Sequence, residues 1–222
     1  MNYTQLSAAI SAYTENTETD FINEIPVFVK QAEQRIYNTV QFPSLRKNVT
    51  GSLTSANKYL SCPDDFLAVY SLAVIDGTGA YEYLLNKDVN FIRQAYPQPT
   101  DSGIPRYYAL FGPTVTSGGA VTTELSFIVG PTPDTGYSVE LHYYYYPESI
   151  TTANTTWLGD NFDTVLLYGS LVEAYTYMKG ETDMMTLYNQ KYQEALGLAK
   201  RLGDGMERQD AYRSGQFRQK VT

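Results

Sequence analysis

The chain has one cysteine, one histidine and one tryptophan in 222 residues. A single thiol, Cys62, excludes an internal disulfide framework and suggests synthesis in a reducing compartment. The Asn-x-Thr triplets at Asn48 and Asn154 then read as chance matches rather than glycosylation sites. The lone histidine, His142, has no second imidazole for metal spacing and no identifiable serine or aspartate partner, so a packed or surface role outweighs a general base. No apolar run approaches the roughly 20 residues a membrane helix needs. MNYTQLSAAI lacks the basic region and apolar core of a signal peptide. Neither G-x-x-x-x-G-K-[ST] nor G-x-G-x-x-G after a strand occurs, so no phosphate loop is expected. Asp64 and Asp65 are adjacent carboxylates, but neighbours on a strand point to opposite faces, and after Pro63 they better suit a turn. Cys62, in SCPDDF, reads as a small buried hydrophobe. No catalytic residue, metal ligand or cofactor site is expected, and the chain reads as a non-enzyme.

Basic charge is scarce and unevenly placed. Sixteen Lys+Arg against 24 Asp+Glu give a formal charge of −8. From Lys200 onward there are six basic and three acidic residues, so that segment is +3 and residues 1–199 carry −11. An acidic body repels nucleic acid phosphates. The basic end could seek an acidic partner.

Tyrosine is what the chain has in quantity: 21, against nine phenylalanines. Its ring buries apolar area while its hydroxyl needs water or a partner, which suits half-wet surfaces and interfaces.

The apolar periodicity reads helix, then strands, then helix. Residues 3–13 form a short amphipathic helix. Phe21, Ile25, Phe28, Ala32, Ile36 and Val40 recur at three- and four-residue steps. Pro26 is expected to open that helix as its first residue, or else to kink it. From about Arg46 the pattern turns β. RKNVTGSLTS and NKYLSCP suggest a hairpin about Thr54–Asn57, and FLAVYSLAVID a buried strand ended by DGTG. A short helix spans about Asp88 to Tyr96, capped by Asn86 or Asp88. RYYALFG follows as a strand, then ELSFIVG and YSVELHYYYYP as a hairpin closed by PTPDTG. ESITTANTTW reads as a polar linker. A helix marked by Phe162, Val165, Leu166, Gly169, Val172 and Tyr175 follows, with Asp160 as its cap. After the GETD break, Met185, Tyr188, Tyr192, Ala195, Ala199 and Leu202 mark a second stripe, ended by Gly203 and Gly205. The expected fold is α+β. A discontinuous helical bundle from residues 1–45 and 151–205 would carry an inserted antiparallel β domain, 46–150, and an extended C-terminal tail, 206–222, disordered in the free subunit.

LHYYYYPES sets four tyrosines in a row. Alternation puts Val139, Leu141, Tyr143 and Tyr145 on one face, which reads as core. Glu140, His142, Tyr144 and Tyr146 share the other, where either cross-strand aromatic pairing or contact with another chain would occupy the rings. In the tail, Tyr212 and Phe217 interleave with Arg208, Arg213 and Arg218. That composition fits a single-strand nucleic acid binder, a segment that orders on a protein partner, or a solvated tail. The −11 body argues against nucleic acid.

Several segments in order resemble the portal adaptor proteins of tailed bacteriophages, also called head-to-tail connector or head-completion proteins, most of all those of short-tailed phages. They are IPVFVKQAEQRIYNTV, YLSCPDDFLAVYSLAV, the Gly-Ile-Pro loop into RYYALFG, VELHYYYYPESI, LGDNFDTVLLYGSLVEAYTYM and NQKYQEALGLA. The resemblance implies a structural virion protein of the neck or tail, made in the host bacterial cytoplasm. It would form a ring, a dodecamer, docked beneath the portal protein, with the β domain facing the tail nozzle or tail-tube protein, or fibres. DNA would pass through on ejection without being tightly bound, and no membrane is involved. The resemblance also makes the tail the portal-binding element, with Arg208, Tyr212, Arg213, Phe217 and Arg218 as anchors. His142, Tyr144 and Tyr146 are the candidate subunit or tail-protein interface. Three other readings compete: a carbohydrate- or ligand-binding β module using tyrosine and Trp157, a hydrolase using Asp64 or Asp65, and another tail-assembly ring such as a tail terminator.

Overall fold

A computed structural model describes residues 1–98, 100–112 and 125–213, the stretch 204–213 as backbone. The fold is α+β. Contacts divide it into two compact units, one made of residues 1–45 and 146–222, the other of residues 46–145.

The first unit is helical. It opens with α1 (Tyr3–Thr14), whose N-cap Asn2 and Gln5 exchange side-chain and backbone hydrogen bonds as a capping box. Next comes α2 (Thr19–Thr39), with Phe21, Ile25, Phe28, Val29, Ala32 and Ile36 buried along one stripe. Pro26 lies inside α2 rather than opening it. The helix starts seven residues earlier, because the Phe21–Ile25 half of the stripe is buried and packing outweighs the missing N–H. A 3-10 turn, Pro43–Leu45, closes this half.

The chain returns through α4 (Ile150–Ala153) and α5 (Trp157–Asn161). These two short helices replace the expected polar linker. Ser149 and Thr156 cap them through their hydroxyls, and Ile150 and Leu158 anchor them in the core. Asp160 therefore sits inside α5 instead of capping α6 (Asp163–Met178), which packs against α1, α2 and the last helix. Lys179, in the left-handed region at φ 54°, ends α6.

The last helix, α7, runs from Thr182 to Arg213. Gly203 and Gly205 do not stop it, and residues 206–213 are helical where an extended tail was expected. Gly203 serves a close approach: a Cβ there would lie 2.9 Å from the Gln41 carbonyl oxygen and 3.2 Å from Val40 Cγ1.

The second unit is a pair of four-stranded sheets around a shared core. One has the order β1 (Arg46–Ser52), β8 (Ser138–Tyr144), β3 (Ala68–Ile75), β4 (Tyr81–Tyr83), antiparallel throughout. The other has the order β2 (Tyr59–Ser61), β7 (Ser126–Gly130), β6 (Tyr107–Phe111), β5 (Leu85–Asn86), with the two-residue β5 parallel to β6. Leu72, Val74, Val139, Leu141 and Tyr143 of the first sheet meet Tyr108, Phe127 and Val129 of the second in one apolar cluster. The helix α3 (Val89–Ala95), capped by Asp88, covers the second sheet through Ile92.

Both hairpins expected in the β region are absent. β1 pairs with β8 and β2 with β7, so the Thr54–Asn57 turn carries the chain from one sheet to the other. β7 and β8 likewise lie in different sheets. Alternation tells which side chains are buried, but both sheets bury one face against the same core, so it cannot say which strand is the neighbour. The β3–β4 hairpin is tied by Asp76, whose Oδ1 accepts from Thr78 N–H, Thr78 Oγ1 and Ala80 N–H.

Candidate interaction surfaces

The pleat of β8 sends Val139, Leu141 and Tyr143 into the core and Glu140, His142 and Tyr144 outward. The register then assembles an outer face. Arg46, Asn48 and Thr50 of β1 stand opposite Tyr144, His142 and Glu140, while β3 brings Ala68 opposite Tyr144 and Ser71 opposite His142. The β3–β8 register shifts between Val69 and Ser71, at Tyr70. The Tyr70 ring meets Tyr144 edge-on at 6.0 Å. The Arg46 guanidinium covers both rings, 4.4 Å from the Tyr70 centroid and 5.8 Å from that of Tyr144. At the far edge Tyr81 and Tyr83 of β4 stack on each other at 6.4 Å.

Between the two aromatic pairs lies a polar seam. The Glu140 carboxylate accepts from Asn48 Nδ2 at 2.5 Å and faces His142 Nε2 at 3.2 Å. The Asn48 amide first, then the Tyr81 hydroxyl and His142, hold this carboxyl below the usual glutamate range. The same bond to Glu140 raises the Tyr81 phenol. The face thus presents Tyr70, Tyr81 and Tyr83, each more than half exposed, around a hydrogen-bonded centre and one arginine. Tyrosine rings that keep much of their area open are the usual material of protein interfaces.

Of the residues read from the sequence, His142 and Tyr144 lie on this face, and Tyr146 lies beyond the end of the strand. β8 ends at Tyr144. Past that point Tyr146 belongs to the helical unit, where its hydroxyl donates to Asn38 Oδ1 and its ring lies 6.4 Å from Tyr37. The expected alternation through Tyr146 fails because the strand has no partner there to hold the pleat. Tyr145 stays at the margin of the core, 6.3 Å from Tyr143, with Lys47 Nζ over its ring.

Tyr70, Tyr81 and Tyr83 were not read from the sequence. The triplet Tyr-Glu-Tyr at 81–83 carries a period-two signal that places both rings on one side of a strand. Tyr70 carries none, because the register shift that accompanies it is a tertiary feature.

The remaining polar sites are occupied within the fold. Asp65 accepts from Lys47 Nζ at 2.7 Å and from the Tyr143 hydroxyl at 2.7 Å. These bonds, Lys47's foremost, hold its carboxyl below the ordinary aspartate value. Asp64 is exposed in the turn that follows Pro63, where Phe66 N–H donates to the Pro63 carbonyl. Burial pushes the Cys62 thiol up to about 12, which leaves it protonated and unreactive at neutral pH. Trp157 packs in the helical unit, 5.1 Å from Phe42 and 5.5 Å from Phe162, rather than on the tyrosine face. Among the described residues no cluster of His, Cys, Asp and Glu could hold a metal ion, and no helix is long and apolar enough to cross a membrane.

The long helix α7 carries Arg208, Tyr212 and Arg213 on its last turns, while Phe217 and Arg218 lie outside the described residues. Leu198 and Leu202, one turn apart on the same helix, are exposed. The tyrosine-lined sheet face on one unit and the open leucines of the long helix on the other are the candidate contact surfaces. The sequence matches the SU10 adaptor protein family over residues 1–219, and the chain belongs to that family. It is a bacteriophage adaptor, a structural class of protein. No curated protein matches the chain.

Proposed function

We propose that the chain is a head-to-tail adaptor that assembles as a ring between the portal and the tail nozzle or tube, in the virion neck, and encloses the channel through which DNA leaves. The observation that carries this reading is the family match over residues 1–219. The charge distribution supports it. Residues 1–199 carry −11, and an acidic wall repels phosphates where a basic one would retain DNA through counterion release. A dodecamer, as in short-tailed phages, is the stoichiometry proposed.

In this reading the C-terminal segment binds the portal through Arg208, Tyr212, Arg213, Phe217 and Arg218. Its first part is presented on α7 rather than as a loose tail, so less backbone entropy is lost on docking. His142 and Tyr144, joined by Tyr70, Tyr81 and Tyr83, form a contact to a neighbouring subunit or to the tail protein. Tyr146, on the helical unit and 38% exposed, is a separate candidate contact. Mass measurement of the purified chain, alone and mixed with the portal protein of the same phage, tests the proposal. A defined ring on the portal supports it, and failure to join the portal under any condition overturns it.

A further inference from the structure

The sheet β1-β8-β3-β4 ends in two strands that, among the described residues, pair on one side only, β1 with β8 and β4 with β3. Hydrogen-bond alternation fixes which backbone groups face outward. Leu53 N–H donates to the Tyr137 carbonyl at 2.8 Å, in line with the β1–β8 register. Positions 51, 49 and 47 therefore bond inward to β8, and Asn48, Thr50 and Ser52 direct their N–H and C=O to the open edge. On the other side Leu84 N–H donates to the Leu72 carbonyl at 2.9 Å and Asp76 N–H to the Ala80 carbonyl at 3.0 Å. Glu82 then bonds inward to β3, and Tyr81 and Tyr83 present their backbone groups outward.

The two edges are compatible with each other. Strand direction alternates across the four strands, so β4 of one copy and β1 of a second run antiparallel when the sheet is continued. The face that carries the linking bonds also alternates from pair to pair, and four strands restore it. Both open-edge sets have their side chains on the same outer face. The charges match as well: β1 opens with Arg46 and Lys47, and β4 is centred on Glu82.

We propose that β4 of one copy pairs with β1 of the next, with Tyr83 opposite Arg46, Glu82 opposite Lys47 and Tyr81 opposite Asn48, so that neighbouring subunits share one continuous antiparallel sheet. This rests on the self-assembly proposed above and names the contact that makes it. The register sets Glu82 across from Lys47, whose ammonium is held by Asp65 at 2.7 Å in the free chain. Glu82 itself is only 3.8 Å from Arg106, a loose pair between exposed groups that leaves the carboxylate able to take a second cation. Tyr83, 65% exposed in one copy, is covered by the neighbouring copy's β1 in this register. The two edges differ, so the contact is head-to-tail, the kind that closes into a ring, and it removes an open edge that would otherwise invite disordered association.

The pair Glu82 and Lys47 falls at a non-hydrogen-bonded position, where Cα atoms approach to about 4.5 Å, within disulfide reach. Inside one copy the two edges are separated by two strands, roughly 14 Å at about 4.8 Å per strand, so they cannot bridge internally. The test is the full-length double variant Glu82→Cys, Lys47→Cys, oxidised alone and on the portal protein, with its fold checked by circular dichroism and its mass measured in parallel. The expected result is a ladder of covalent dimers, trimers and higher species that survives boiling in detergent and collapses with dithiothreitol. Mixing the two single variants should give covalent dimers only. Assembled particles that yield no ladder would overturn the edge pairing and leave the ring standing. A chain that remains monomeric throughout contradicts both.

Discussion

Glu33 on α2 accepts a hydrogen bond from the backbone N–H of Ile150, 2.9 Å away and 117 residues later in the chain. It joins the first helices to the segment that returns after the β region. Both residues are buried, so Glu33 supplies the acceptor that the first N–H of α4 needs. Burial raises the Glu33 carboxyl above its ordinary range, and the Ile150 N–H, the Ser149 hydroxyl and nearby Lys30 only partly offset this. A carboxyl with a raised folded pKa binds its proton more tightly folded than unfolded. Its contribution therefore favours folding at low pH and is lost as pH rises from about 4.3, the unfolded value, through the raised folded value. Glu33→Gln keeps the acceptor and removes this dependence, so urea melts should show equal or higher stability at neutral pH and a flatter profile above the unfolded value. Glu33→Ala strands the Ile150 N–H and should cost about 1–3 kcal/mol.

Two glycines of α7 should respond in opposite directions to the same substitution. A methyl group at Gly197 would have nothing within 4 Å, whereas at Gly203 it would meet the Gln41 carbonyl at 2.9 Å. Gly197→Ala should stabilise by up to about 1 kcal/mol through helix propensity. Gly203→Ala gains the same propensity but forces backbone apart, a cost of about 1–3 kcal/mol, so thermal melts should show it neutral to destabilised.

Tyr192 is 1% exposed and its hydroxyl has no hydrogen-bond partner among the described residues. Burial raises its phenol. Tyr192→Phe removes the unmatched group while keeping the ring over which Arg35 lies at 5.9 Å. Stability should rise by about 1 kcal/mol, read as roughly 2–4 °C in Tm for a chain of this size. A fall in Tm would mean that the hydroxyl has a partner in solution.

The helical stripes were legible because periodicity records burial, and Phe21 to Ile36 or Tyr188 to Ala199 need no knowledge of what lies opposite. The helix ends were less so. Gly203 reads as a stop, but what requires a glycine there is the Gln41 carbonyl, 162 residues earlier in the chain. In the β region β1, β2, β3, β6, β7 and β8 were legible, while the two- and three-residue β5 and β4 were too short to read as strands. The partners were not legible, since RKNVTGS finds β8 rather than the next strand along. Of the candidate surface, His142 and Tyr144 follow from alternation. Tyr146 does not, because the strand has ended, and Tyr70 is hidden by the register shift beside it.

Tyr144→Ala combined with Tyr146→Ala should weaken ring formation or docking to the tail protein while the free subunit keeps its far-ultraviolet circular dichroism. Tyr144 loses its contacts with Tyr70 and Arg46, and Tyr146 its bond to Asn38, all at partly or fully exposed positions. Sedimentation of the variant with its partners reads the effect. Assembly at wild-type affinity would remove these two rings from the interface.

The mass of the purified chain with and without the portal protein of the same phage tests assembly most directly. Mass photometry or native mass spectrometry should show the chain joining the portal as a closed set of copies, a dodecamer in the stoichiometry proposed. A chain whose mass is unchanged by the portal at every ratio and salt concentration would contradict it.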